Sequence, residues 1–222
     1  TAVDRSYMMQ LLEAAHRHIE NGDVSSVRIS TRPDFIDDEI LDILEEYGVT
    51  AIELGAQSMD DDVLTANRRG HTAQDVADSS QLIKSRGFEL GLQMMTGLYK
   101  DTDEKCIKTA QKIIALSPET VRIYPTVVLE HTELARLYRS GEYVPQTVES
   151  AAQLCAKLIP MFDDAGIKII RLGLHSGGGV GDGYIAGAYH PAFGEICESM
   201  LFRDMISSEL EQCAQGEYDV FC

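Results

Sequence analysis

The chain has 222 residues, 44% of them hydrophobic, and carries a formal net charge of −17. A surface this acidic repels phosphate backbones and anionic lipid headgroups, so it disfavours nucleic acid and membranes as partners. The length suits one large α/β domain, and no apolar run approaches the roughly 20 residues that cross a bilayer.

Helices and short apolar strands alternate along the first half of the chain. Asp4 is a predicted helix cap, and Pro33 ends the first predicted strand because the residue before a proline is held extended. The predicted elements are a helix that ends at Asn21-Gly22, strand 26–30, a helix from Asp37 or Asp38 to Gly48, strand 50–54, helices near 60–67 and 73–86, and strand 88–94.

The second half continues this alternation and ends in a helix-rich tail from about residue 191. Its predicted elements are helix 102–116, strand 120–124, helices 131–139 and 147–164, and strand 167–172. Connections this long imply parallel strands with right-handed crossovers.

Five strands are visible in the sequence, whereas a complete (β/α)₈ barrel has eight. We therefore expect an incomplete barrel, an open doubly wound sheet or a truncated barrel. The helix that precedes the first strand favours truncation. We place a partial (β/α) barrel at 1–172, and a Gly-rich loop with a helical C-terminal segment at 173–222.

The five cysteines are scattered and form no CxxC or CxxxCxxC motif. Such a set favours free thiols and the reducing cytoplasm. Cys106 and Cys155 lie in helical patterns, where we predict small core residues rather than metal ligands.

Four apolar segments end abruptly in polar, Gly or Pro residues. They occupy residues 27–34, 51–58, 90–97 and 121–126. Because the carboxyl ends of parallel strands meet at one edge of the sheet and carry the chemistry of such folds, these ends are the expected functional positions.

Two glutamines stand at these ends. Gln57 follows Gly55, which permits close backbone approach, and its amide either contacts a ligand or caps a turn. Gln93 lies inside an apolar strand, where an unpaired amide is costly. It is therefore either a ligand contact or a core side chain with its hydrogen bonds satisfied.

A cationic stretch follows the second strand, at residues 67–71, with the sequence Asn-Arg-Arg-Gly-His. Its arginines suit a carboxylate or ribose hydroxyls, although Arg68 is equally a surface cation and His71 a helix cap. Arg32 either pairs locally with Asp34 or faces the site. Tyr124 stacks on a flat ring or serves only in packing.

The Gly-rich run at 177–183 resembles a phosphate cradle only superficially, because it lacks the Lys-Ser/Thr of a P-loop and GxGxxG spacing. We interpret it as a mobile loop. The sequence also contains no HExxH or Ser/His/Asp signature, so it assigns neither a catalytic residue nor a metal ligand.

Taken together, the strand ends resemble the radical SAM superfamily. The branches they are similar to are the Elongator catalytic subunit and the oxygen-independent coproporphyrinogen III oxidase. The similar stretches are 30–34, 55–58 with 67–72, 94–98, and 122–126 with 132–134, in the family's order.

This resemblance implies a partial (β/α)₆ barrel, in which a [4Fe–4S] cluster on three cysteines binds S-adenosylmethionine (SAM). Cleavage of SAM then gives a 5′-deoxyadenosyl radical that abstracts hydrogen from a substrate, here unknown. By motif position, the resemblance implies six SAM-binding residues. Ser30 stands where relatives often place a Glu that binds SAM. Gln57, Arg69 and Gln93 would contact the ribose and carboxylate, and Ile123 and Tyr124 would flank the adenine.

The CxxxCxxC loop and the Gly-rich strand that binds the SAM amine are absent from the sequence. The resemblance places both upstream of Thr1, on two further βα units of about 30 residues each. We therefore expect the cluster ligands there and expect this chain alone to be inactive. The Elongator-type acetyltransferase domain is absent as well.

The resemblance implies an oxidoreductase or transferase reaction and an electron donor such as flavodoxin or ferredoxin. Two alternatives stay open. A cluster-free barrel lyase or aldolase needs a catalytic lysine, for which Lys100 is the nearest candidate to a strand end. The other is a non-catalytic module that binds SAM or a nucleotide.

Overall fold

A five-stranded parallel sheet forms the centre of the protein. The computed structural model describes residues 2–175, 183–212 and 216. The strands of the sheet lie side by side in chain order, as β1 (Val27–Thr31), β2 (Val49–Gln57), β3 (Glu89–Thr96), β4 (Thr120–Pro125) and β6 (Lys168–Leu172).

Eight helices lie among the described residues, and all of them are within a few residues of the predicted positions. They are α1 (Arg5–Glu20), α2 (Asp38–Glu46), α3 (Asp61–Ala66), α4 (Ala73–Ser85), α5 (Asp103–Ala115), α6 (Glu133–Ser140), α7 (Val148–Asp164) and α8 (Phe193–Gln212). An Asp or Thr side chain caps the first turn of each helix from α1 to α7, which explains why the helix starts were visible in the sequence.

The strand order distinguishes a barrel segment from a doubly wound sheet. A doubly wound sheet reverses its strand order at a switch point, whereas this order follows the chain without reversal. The helices therefore pack on one face, against fully buried side chains such as Leu54, Leu92 and Val121. We call this the helix face. The opposite face, which carries Arg28, Glu53 and Arg122 among others, is the open face.

A second, small sheet was not predicted. Strands β5 (Val127–Leu129) and β7 (Tyr184–Gly187) pair antiparallel just beyond the end of β4. With α6 they enclose a separate small core around Val128, Leu137 and Tyr143. Strands of three and four residues are too short to show the alternation by which strands are recognised in a sequence.

Helix α8 is fixed to the main core at its first turn. Phe193 is 2% exposed, and a Cβ added to Gly173 (φ +85°) would lie 2.8 Å from the Phe193 Cβ. Glycine at position 173 therefore allows the ring to approach the end of β6. Cys197, one turn further on, is also buried in this core.

The cysteines Cys106 and Cys155 are buried among apolar side chains, which confirms their predicted core position. Cys213, Cys222 and most of the Gly-rich run at 177–183 lie outside the described residues. None of the described helices is long and apolar enough to cross a membrane.

Replacement of Phe193 by alanine should destabilise the protein by about 3–5 kcal/mol, because a buried ring is lost and a cavity remains. The matched control is Phe202→Ala on the same helix, where the ring is 56% exposed, and its effect should stay below about 0.5 kcal/mol. Urea denaturation of both variants measures the difference, and similar losses in the two would contradict this account of α8.

Candidate functional site

Two glutamine side chains meet on the open face near the carboxyl ends of β2 and β3. Gln93 Nε2 donates a hydrogen bond to Gln57 Oε1 at 3.2 Å. The register of β2 against β3 shifts between Leu54 and Gln57, and Gln57 has a φ of +63°. This bulge brings the Gln57 side chain back towards Gln93.

Gly55 leaves the space that the Gln57 amide occupies. A Cβ added at Gly55 would lie only 2.6 Å from Gln57 Nε2. Among the described residues, neither Gln57 Nε2 nor Gln93 Oε1 has a hydrogen-bond partner of its own. The pair therefore presents free donors and a free acceptor side by side, a combination suited to a neighbouring pair of hydroxyl groups.

A buried acid lies deeper on the open face. Glu53 is 2% exposed, and its Oε1 accepts a 3.4 Å hydrogen bond from Ser30 Oγ on the neighbouring strand. Arg122 Nε lies 2.8 Å from Glu53 Oε2, at an angle that does not make a hydrogen bond. Ser30 thus lies on the predicted face, but its described partner is Glu53.

The turn after α3 sets the position of Arg69. Asn67 ends the helix, Arg68 adopts a left-handed φ of +52°, and the Arg69 N–H donates to the Leu64 carbonyl at 3.0 Å. This hydrogen-bond pattern is a Schellman motif, which reverses the chain directly after a helix.

The Asn67 side chain ties this turn to the loop after β3. Its Nδ2 donates to the carbonyls of Val63 and Tyr99, both at 2.8 Å, and its Oδ1 accepts from the Tyr99 N–H at 3.2 Å. Asn67 therefore couples two loops at the carboxyl end of the sheet. In the sequence, Asn67 stands out only as part of the cationic stretch.

The guanidinium of Arg69 is half-buried and has no acid beside it. Its Nε is fully buried and has no hydrogen-bond partner within the described part of the chain. Burial lowers the pKa of Arg69, and the nearby positive charge of Arg32 lowers it further. Both effects disfavour the cation, so an anion bound here would be strongly stabilised.

Arg32 already has its own acid. It makes two hydrogen bonds to Asp34, at 2.9 and 2.6 Å, and it crosses Gly70, where an added Cβ would lie 2.8 Å from Arg32 Nη2. Arg32 therefore pairs locally with Asp34, which was one of its two interpretations. Arg69, beside it, has no counterion among the described residues.

The remaining residues of the cationic stretch serve the fold. Arg68 is exposed and lies 3.9 Å from Glu133, as a surface cation would. His71 is buried with Nε2 at 3.1 Å from the Ala56 carbonyl, whereas Thr72 is the residue that caps α4. His71 therefore anchors the stretch to β2 and is not a helix cap.

Tyr124 and Ile123 lie on opposite faces of β4. Tyr124 is half-buried and follows the open-face residue Arg122 by two positions. The Ile123 side chain is fully buried in the core on the helix face. Because side chains alternate along a strand, only the backbone of Ile123 can reach the open face, so the structure does not bring its side chain to the other candidates.

Lys100 is exposed in the loop after β3, beside a cavity of about 420 Å³ between that loop and residues 142–146. Tyr143 lines this cavity, and its hydroxyl donates a hydrogen bond to the Gly97 carbonyl at 2.6 Å. Burial raises the pKa of Tyr143 to about 12. A Schiff-base lysine needs a desolvated position, which Lys100 does not have.

Sequence reasoning missed Glu53 and Arg122, although each is a charged residue within an apolar strand. A polar residue within an apolar strand is the pattern that marks Gln93 as a candidate, and Glu53 and Arg122 show the same pattern. No group of three His, Cys, Asp or Glu residues able to hold a metal ion occurs within the described ranges.

Two family models match the chain. The model described as the radical SAM superfamily matches residues 2–113, half of the chain, and the model of the radical SAM C-terminal domain matches residues 118–203.

One similar curated protein is the tRNA uridine(34) acetyltransferase of Methanocaldococcus jannaschii, which is 33% identical over 57% of this chain and 24% of its own length. Another is the human Elongator complex protein 3, which is 32% identical over 61% of this chain and 25% of its own length. The chain thus spans about a quarter of these relatives.

Similar solved structures share the fold. The archaeal Elp3 of Methanocaldococcus infernus with an N-terminal deletion has a TM-score of 0.75 at 24% identity, over 81% of this chain and 42% of its own. The coproporphyrinogen III oxidase HemN of Escherichia coli has a TM-score of 0.58 at 16% identity, over 74% and 38%.

Replacement of Asn67 by alanine should destabilise the protein by about 1–3 kcal/mol, because the Tyr99 N–H and carbonyl lose their partner in a half-buried position. The control is Asn21→Ala, at the exposed end of α1, which should have almost no effect. Thermal or urea unfolding of both variants provides the measurement. Equal stability of N67A and N21A would show that the two loops are not coupled through Asn67.

Proposed function

The chain belongs to the radical SAM superfamily, and from this premise we propose that it binds SAM across the open-face ends of β2, β3 and β4, as part of a hydrogen-abstracting enzyme. When bound and reduced by one electron from a donor, SAM would be cleaved to methionine and a 5′-deoxyadenosyl radical, which supplies the hydrogen abstraction. The observation that carries the proposal is the half-buried guanidinium of Arg69, which has no counterion among the described residues although the chain has an excess of acids.

Arg69 is proposed to bind the SAM carboxylate. The planar fork of a guanidinium matches the two oxygens of a carboxylate, and a partly buried position strengthens the pair. Arg32 adds positive potential from the side but is held by Asp34, so Arg69 is the group left to make the bidentate contact.

Gln57 and Gln93 are proposed to hold the ribose. A ribose diol both donates and accepts hydrogen bonds, and the free Nε2 of Gln57 and free Oε1 of Gln93 supply the complementary groups. Gly55 beneath them leaves room that a side chain would take. Ser30 would border the ligand on the β1 side, although its hydroxyl bonds to Glu53.

Tyr124 is proposed to flank the adenine. Its ring lies on the open face of β4, where an aromatic side chain can stack on a flat base. Ile123 would contribute only backbone groups at this position.

The superfamily also implies a [4Fe–4S] cluster, which does not fit the described residues. The three described cysteines, Cys106, Cys155 and Cys197, are all buried in the core. Burial and the Cys106 neighbour Asp101 raise the pKa of the Cys106 thiol, which opposes the thiolate form that a cluster requires. We therefore derive no step through a cluster from these residues.

The partner of such an enzyme would be a one-electron donor such as flavodoxin or ferredoxin. The Methanocaldococcus jannaschii relative is named for an action on tRNA, but this chain spans about a quarter of that protein. The charge of −17 on this chain also opposes long contacts with a phosphate backbone. The lyase alternative loses support because its main candidate, Lys100, is exposed to solvent.

Replacement of Arg69 by glutamine should weaken SAM binding by about tenfold or more, since a charge-assisted bidentate contact is lost. Anaerobic calorimetry with SAM, on the natural protein that contains this chain, measures the change. Arg139→Gln is the control, because Arg139 is exposed and pairs with Glu130 on the surface. Both variants should keep the wild-type unfolding midpoint.

Equal SAM affinity in the R69Q and wild-type proteins would refute the assignment of Arg69. Absence of SAM binding in the wild-type protein, together with no release of 5′-deoxyadenosine under reducing conditions, would refute the proposed function as a whole.

A further inference from the structure

A second guanidinium that has no counterion among the described residues lies at the other side of the open face. Arg171 on β6 is the register partner of Arg122 on β4, so the two side chains leave adjacent strands on the same face. Strands β3 and β4 separate β6 from β2, after which the Arg69 turn follows. Arg171 is therefore distinct from the cation proposed to hold SAM.

The terminal Nη groups of Arg122 and Arg171 have no partner among the described residues. Arg171 Nε donates to the Gly173 carbonyl at 3.2 Å, which leaves both of its terminal Nη groups without a partner in the described part of the chain. Arg122 approaches only Glu53, through Nε, and its Nη groups also lack a described partner. Glu53 is thus the described carboxylate beside Arg122, and no described carboxylate forms an ion pair with Arg171.

The other arginines of the described ranges set the comparison. Except for Arg69 and Arg171, each forms an ion pair with an Asp or Glu side chain. In a chain with 36 acidic residues against 19 Lys and Arg, a half-buried arginine that forms no ion pair is unusual.

Acidic side chains also lie along β6. Asp163, Glu195 and Glu198 line a cavity of about 500 Å³ along β6 that Arg171 also borders. None of the three forms an ion pair with Arg171, whose guanidinium is instead held at the end of β6 by the Gly173 carbonyl.

We infer that Arg171, with Arg122 beside it, binds an oxyanion of the substrate, a carboxylate or a phosphate group, at the open face of β4 and β6. Guanidinium forks bind either group bidentately. The inference rests on the proposed function, because SAM has one carboxylate and Arg69 is already assigned to it. The second anion must then come from the molecule that reacts.

Calorimetric titration of the natural protein with inorganic phosphate and, separately, with succinate tests this site. Arg171→Gln should weaken binding of the preferred anion by about tenfold. In the Arg69→Gln background, where no anion is held at the proposed SAM site, Arg171→Gln should cause the same loss, and Arg139→Gln should leave anion binding unchanged. The anion bound more tightly by the wild-type protein identifies whether the substrate group is a phosphate or a carboxylate.

Arg171 is the chosen position because it forms no ion pair with described residues, so its replacement leaves no buried acid unpaired. Arg171→Lys keeps the charge without the fork and should give an intermediate affinity. Equal affinity in the R171Q and wild-type proteins, or no binding of either anion to the wild-type protein, would overturn the inference.

Titration of the same samples with SAM separates this inference from the proposed function. R171Q should bind SAM as the wild-type protein does. If SAM binds but no anion binding depends on Arg171, the substrate site is wrong and the SAM site stands. If anion binding depends on Arg171 but SAM does not bind, the proposed function is wrong. The anion could then no longer be assigned to the substrate of a radical SAM reaction.

Discussion

The positive charge of Arg69, half-buried without a described counterion, is the constraint on which the interpretation of this protein depends. Removing a charge from water is unfavourable unless another charge or several hydrogen bonds compensate for it. Here acids are abundant in the sequence, yet no acid in the described part of the chain pairs with the Arg69 guanidinium, and Arg32 adds a second positive charge nearby. A fold that maintains such a cation is best explained by a ligand that brings the negative charge.

The local structure around Arg69 holds it in place with few degrees of freedom. The Schellman turn after α3 fixes its backbone, Asn67 joins that turn to the loop after β3, and Gly70 lets Arg32 pass within contact distance. On the neighbouring strands, the β2 bulge and Gly55 bring the two glutamines together. Arginine, glutamines and tyrosine thereby converge on the carboxyl ends of three adjacent strands, where ligands bind in parallel α/β folds.

Much of the fold could be predicted from the sequence, because capping residues, apolar periodicity and the glycines that end helices are local signals. The choice between a barrel segment and a doubly wound sheet could not be predicted from the sequence, because it depends on which strands are neighbours in the sheet. Strands β5 and β7 were missed because they are too short to show a pattern. The prediction that the side chains of Ile123 and Tyr124 both reach the site was wrong for Ile123. Neighbouring residues of a strand point to opposite faces, and this could have been recognised from the sequence. The pairing of Glu53 with Arg122 depends on how β2 and β4 are aligned across β3, and it has no local signal.

The central claim, that Arg69 binds the carboxylate of SAM, is tested most directly by NMR of ¹⁵N-labelled arginine side chains during titration with SAM. The account predicts that the Nε–Hε resonance of Arg69 shifts and becomes protected from exchange as SAM saturates the protein, while that of Arg139 stays unchanged. Saturation by SAM with no change at the Arg69 resonance would contradict it.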